Sequence, residues 1–149
     1  MRMSLEQWFN NGWVKRHKSS SQEVANLFNI VERDLQDAET EELSADWKFG
    51  IAYNAALKLC MILISAEGFR PEKTLQHYRT LQALPLILGE DRKADAGYLD
   101  TCRAKRNTAE YDRAGIVSNA DAAELIEFAR ELEKDVREWV KQRHPELIG

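Results

Sequence analysis

Between Ile51 and Ile64 nearly every position is apolar, with Asn54 and Lys58 as the main exceptions. A helix that is apolar all round has no face to give to water, so it has to lie at the centre of other elements. Ser44 stands ahead of this stretch as an N-cap and Gly68 follows it, which predicts one helix ending near Glu67. The longest unbroken apolar run, Leu59 to Ile64, is far short of the roughly 20 residues needed to cross a membrane. The stretch therefore reads as a core helix, and no membrane segment or anchor is expected.

What covers that helix is expected to be helical too. The chain has 149 residues with only 7 Gly and 3 Pro, too few turn residues for a sheet protein of this length. Ser4 and Gln7 form a capping-box pattern ahead of Trp8 and Phe9, and Asn10-Asn11-Gly12 ends that short helix. Trp13 to Lys18 reads as a small basic loop. Ser20 and Glu23 repeat the box, and Val24, Phe28, Val31, Leu35 and Ala38 then form one stripe of a long helix. Gly68-Phe69-Arg70-Pro71 is a break, with Pro71 near the start of a helix over 72–84 that Pro85 ends or kinks. A further helix begins near Glu90 with Ala94, Tyr98, Cys102 and Ala109 on its apolar face. Ser118 opens the last one, whose stripe is Ala122, Leu125, Ala129, Leu132, Val136, Trp139 and Val140. The expectation is an all-α chain with a single domain over 1–149. It consists of an antiparallel bundle of about five helices, preceded by a short N-terminal helix and basic loop over 1–19.

The net charge is −4, from 21 Lys+Arg against 25 Asp+Glu, which argues against a protein that coats nucleic acid and leaves room for a local basic patch. Two cysteines cannot make a disulfide scaffold, and Met1 opens no secretory pattern. Cys60 and Cys102 thus read as reduced thiols packed as small hydrophobes in a cytoplasmic protein.

The one stretch with chemical content is Arg103 to Arg113, with four basic residues against two acidic ones. At about 100° per residue, Arg106 lies roughly 40° from the Cys102 direction, at the edge of the apolar stripe. Asn107 and Tyr111, four apart, share another face. Two readings fit the spacing. In one, Arg106 pairs with Glu110 and the rest is solvated helix. In the other, a planar fork of donors beside an amide and a hydroxyl makes an anion site suited to phosphate oxygens. Elsewhere His17, His77 and His144 are scattered one per element, with no zinc spacing, no glycine-rich phosphate loop and no nucleophile elbow. No metal or cofactor is expected. His77 alone reads as a packing residue, and Trp47, Trp139, Tyr53 and Tyr98 read as core aromatics. The Lys15-Arg16-His17-Lys18 knot reads as solvated loop or as an aid to holding a polyanion.

The chain resembles a HEPN domain (higher eukaryote and prokaryote nucleotide-binding) from about Ser20 to Trp139. Three features carry the resemblance: the apolar helix Ala45–Glu67, its exit through Gly68-Phe69-Arg70-Pro71 into a helix bearing His77, and Arg106-Asn107 near the end of the next helix. The family's motif is an arginine, a polar residue, a short gap and a histidine, sometimes with a tyrosine two residues later. Here Arg106 and Asn107 match its first half. Tyr111 stands where the commonest form has histidine, and Arg113 stands where some members have tyrosine.

The resemblance implies a homodimer that brings two copies of the motif into one cleft. Active members are metal-independent ribonucleases, many of them toxins paired with a nucleotidyltransferase antitoxin, while others only bind or dimerise. An imidazole near pKa 6.5 exchanges protons at neutral pH and a phenol near 10 does not. General acid–base help is worth roughly 10²–10⁴-fold. The substitution at Tyr111 therefore implies a cleft built from Arg103, Arg106, Asn107, Glu110, Tyr111, Asp112, Arg113 and His77. That cleft binds RNA phosphate, a nucleotide or a partner protein with weak or no catalysis. The alternatives are an active endoribonuclease of toxin or phage-defence type, with Glu110, Asp112 or His77 as substitute base, and a purely structural helical module.

Overall fold

The computed structural model describes residues 3–111 and 114–148, and these are mostly helical. The elements run α1 (Leu5–Asn10), β1 (Val14–Arg16), α2 (Ser21–Ala38), α3 (Ala45–Ala66), β2 (Phe69–Pro71), α4 (His77–Leu81), α5 (Lys93–Tyr111) and α6 (Asn119–Arg143). α3 is the axis. Fourteen of its residues are buried, because α2, α5 and α6 all pack against it. α3 has the length and apolar content of a membrane span, and 78% of that stretch is buried inside the bundle.

Side-chain ties between helix ends fix the directions. The Ser19 hydroxyl donates to the Ser65 carbonyl at 2.8 Å, so α2 starts where α3 ends. The Gly115 amide donates to Asp46 Oδ2 at 2.8 Å, so α5 ends where α3 starts. His144 Nε2 lies 3.6 Å from Glu67 Oε2, so α6 ends beside the end of α3. α2 and α5 therefore run against α3, and α6 runs with it.

The expected caps form at Ser4, Ser20, Ser44 and Ser118, each hydroxyl accepting from the third following amide. The boxes at Ser4–Gln7 and Ser118–Asp121 are reciprocal. Glu23 instead turns to His17, 2.6 Å from Nε2. The α2 stripe is buried as expected, and the α6 stripe is buried with Glu133 added and Trp139 left partly exposed.

Four expectations need correction. Within the basic loop expected over 13–18, Val14–Arg16 instead form one strand of an antiparallel ribbon, pairing Val14 with Pro71, Lys15 with Arg70 and Arg16 with Phe69. A three-residue strand with one buried position is too short for an alternating pattern to register. Its arginine is not free. Arg16 makes two hydrogen bonds to Glu6, at 3.1 and 3.0 Å, and its guanidinium lies 4.5 Å from the Phe9 ring centre. Gly68 turns the chain into this ribbon with φ +93, a conformation costly for any side chain.

Second, because Pro71 closes the ribbon, the helix expected over 72–84 shrinks to α4. Pro85 then falls inside a π turn (Leu84–Leu88) that leads through a 3-10 turn (Glu90–Arg92) into α5. Third, α5 buries Ala96, Leu99 and Cys102, and Ala94 is exposed. Fourth, Trp47 is 65% exposed and not part of the core. It sits in the first turn of α3 beside Asp46, which accepts from the Gly115 amide in the loop after α5.

Candidate functional site

Leu99, Arg103, Arg106 and Glu110 recur at four- and three-residue steps, so they share the face that α5 turns to α3. Near the end of α5 the facing residue on α3 is Gly50, and the missing side chain makes space for charge. A Cβ there would lie 3.7 Å from Arg106 Nε and 3.8 Å from Glu110 Oε1. Both polar groups thus lie against bare backbone.

The Arg106 side chain is 19% exposed. Its Cζ lies 5.4 Å from the centre of the Tyr53 ring, one turn along α3. Its Nε is 3.3 Å from Glu110 Oε1, close enough for an ion contact. The same Nε is buried without a hydrogen-bond partner, so the approach lacks the alignment of a hydrogen bond. Of the two readings of this stretch, the Arg106–Glu110 pair is present, yet it occupies only one edge of the guanidinium.

The remaining edge faces a cleft of about 710 Å³ between α4 and α5. α5 contributes Arg103, Arg106, Asn107 and Tyr111, and α4 with the residue before it contributes Gln76, His77 and Tyr78. Arg103 is held by Asp100, Nε to Oδ1 at 2.8 Å. Tyr111 stands on the rim, 80% exposed. Tyr53 is fully buried below, and its hydroxyl lies 3.5 Å from His77 Nδ1.

The electrostatics follow from this placement. Partial burial, then the Arg106 guanidinium, then that of Arg103, push the His77 pKa below its ordinary value. Burial holds the Tyr53 phenol well above the usual range, so it stays protonated. The cleft therefore combines two fixed cations, a neutral imidazole, two side-chain amides and phenolic hydroxyls. That set offers several donors to an oxyanion.

Of the residues singled out in the sequence, Arg103, Arg106, Asn107, Tyr111 and His77 come together in this cleft. Glu110 sits behind Arg106 against α3. Asp112 and Arg113 lie outside the described residues. Sequence reasoning missed three contributors. Tyr53 reads as core because it is core, and its proximity to Arg106 depends on the gap at Gly50. Gln76 and Tyr78 carry no local signal, since only the docking of α4 against α5 brings them to the site. Cys60 and Cys102 are buried free thiols, as expected.

No family model, curated protein or solved structure matches the chain.

Proposed function

We infer that the chain is a binding protein for phosphate-bearing ligands, RNA or a nucleotide, working in the manner of a HEPN-like homodimer with weak or no catalysis. One observation carries the reading: Arg106 is fixed between Tyr53 and Glu110 and makes no hydrogen bond among the described residues, while its open edge shares a cleft with Arg103, Asn107 and His77. A guanidinium immobilised before the ligand arrives loses little entropy on binding it. Pairing of two copies is supported by two exposed aromatics, Trp47 and Tyr111. They lie where the start of α3 meets the end of α5, the region tied by Asp46 and Gly115. The test is equilibrium binding of a fluorescent nucleotide to the wild type and to Arg106→Ala. Loss of most of the affinity in the variant is the expected result, and equal affinity overturns the reading.

His77 favours a second reading, a metal-independent endoribonuclease. It supplies from α4 the imidazole that α5 lacks at Tyr111. In that reaction the RNA 2′-hydroxyl oxygen bonds to phosphorus as the bond to the 5′-oxygen breaks. His77 takes the hydroxyl proton, the leaving 5′-oxygen takes a proton from water, and Arg106 stabilises the charge on the phosphoryl oxygens. Metal-independent cleavage leaving 2′,3′-cyclic phosphate ends, abolished by His77→Gln, is its signature. A pairing with a nucleotidyltransferase antitoxin belongs to this second reading.

A further inference from the structure

The cleft does not end at Tyr78. That side chain, 44% exposed, forms one wall of the Arg106 cleft and one wall of a neighbouring hollow of about 660 Å³. The second hollow runs under α4 toward the start of α5, and its lining includes Trp8, Arg79, Gln82, Glu90 and Lys93.

Arg79 and Lys93 are its cations. The Arg79 guanidinium lies over the Trp13 ring, Cζ 3.5 Å from its centre. Arg79 makes no ion pair among the described residues, and neither does the exposed Lys93. Basic side chains therefore lie on both sides of Tyr78, Arg103 and Arg106 in one hollow and Arg79 and Lys93 in the other.

That alternation of charge, aromatic ring and charge matches a single-stranded oligonucleotide, whose phosphates and bases alternate. A lone phosphate or mononucleotide would fill the Arg106 cleft and leave the second hollow idle. An acidic peptide would use the cations and gain little from an exposed ring between them.

We propose that the Arg79/Lys93 hollow is a second phosphate subsite, joined to the Arg106 cleft by Tyr78 as a base-stacking wall, so that the ligand is a single strand spanning both. The proposal rests on the reading of the Arg106 cleft as an anion site. Phosphates of the strand meet Arg103 and Arg106 on one side and Arg79 and Lys93 on the other.

The test compares 5′-AMP with fluorescent ten-nucleotide single strands of uridine and of thymidine. Proteins are the wild type, Arg106→Ala, Tyr78→Ala, Arg79→Ala and Lys93→Ala, each checked for an unchanged melting transition. Lys93 is exposed, so its variant stays informative even if Arg79→Ala unfolds. The expected result is a decamer bound at least tenfold more tightly than AMP. Tyr78→Ala should weaken the decamer about tenfold, within the range for one stacked base. Removing both Arg79 and Lys93 should reduce the salt dependence of decamer binding by roughly 1.4 in log–log slope, about 0.7 per phosphate contact. AMP binding should fall in Arg106→Ala and stay unchanged in Arg79→Ala and Lys93→Ala. A decamer no tighter than AMP, or indifferent to Lys93→Ala and Arg79→Ala, overturns the second subsite and leaves the cleft reading intact. AMP binding indifferent to Arg106→Ala overturns the cleft reading instead. An oligoglutamate peptide that binds with the same residue dependence while the decamer does not overturns the proposal in favour of an acidic protein partner. The uridine and thymidine arms separate RNA from DNA.

Discussion

The guanidinium carbon of Arg106 lies 5.4 Å from the centre of the Tyr53 ring. The hydroxyl of the same tyrosine lies 3.5 Å from His77 Nδ1. One buried ring on α3 thus positions cleft residues from α5 and α4. Tyr53→Phe keeps the ring and removes only the long contact to His77, so the expected stability loss is under about 1 kcal/mol. Tyr53→Ala opens the core beneath the site and should cost about 3–5 kcal/mol, the range for large aromatic truncations. Urea unfolding of the two variants checks the contrast, and equal losses would contradict a role for the ring.

Gly50 marks how closely α3 and α5 approach. A Cβ at this position meets Arg106 Nε and Glu110 Oε1 at 3.7 and 3.8 Å, which are ordinary contacts. Gly50→Ala should therefore fit, and by restricting a helical glycine it should raise stability by about 0.5–1 kcal/mol. Gly50→Leu puts further carbons where the Arg106–Glu110 pair lies and should lower stability by about 1–3 kcal/mol. Thermal melts of both variants test the sign reversal.

The His77 pKa is depressed from 6.5 by burial and by the two guanidinia. Between the folded value and 6.5 the unfolded chain binds more protons. His77 therefore withdraws stability as pH falls below 6.5, and His77→Gln should flatten that part of the curve. An anion in the cleft offsets the guanidinia, so the imidazole pKa should rise on binding and affinity should increase as pH falls toward it. Imidazole NMR titrations with and without phosphate measure this directly. A pKa at or above 6.5 in the free protein would contradict the electrostatic picture.

Burial raises the Cys60 thiol to about 12 and, in the main, the Cys102 thiol to about 11. Neither forms appreciable thiolate at pH 8, and both are buried. A thiol-specific disulfide reagent should therefore label the folded protein only at the rate of its opening. Rapid labelling in native buffer would show that one of these helices is packed more loosely than described.

The helices with a long one-sided or all-round apolar pattern, α2, α3 and α6, were legible in the sequence because burial of that pattern is what holds them. The Ser4, Ser20, Ser44 and Ser118 caps were legible for a local reason, a side-chain oxygen three residues from the amide it satisfies. The ribbon was not. Val14–Arg16 gains its partner from 53 to 57 residues downstream, through pairing that leaves no periodic trace in three residues. Its capture of Pro71 is also what shortened α4. At the site, Arg106 and Asn107 stood out by local charge and amide content. Tyr53, Gln76 and Tyr78 did not, because their part depends on which helices pack together. The position of His77 beside Arg106 is of the same tertiary kind.

The most direct measurement is the NMR signal of the Arg106 Nε–Hε group, followed while inorganic phosphate is added. This hydrogen is buried and without a hydrogen-bond acceptor in the free protein. The account predicts that its resonance and the His77 ring resonances shift together along one saturable curve, and that the His77 shift disappears in Arg106→Ala. Signals that stay fixed while phosphate moves resonances on another face of the bundle would contradict it.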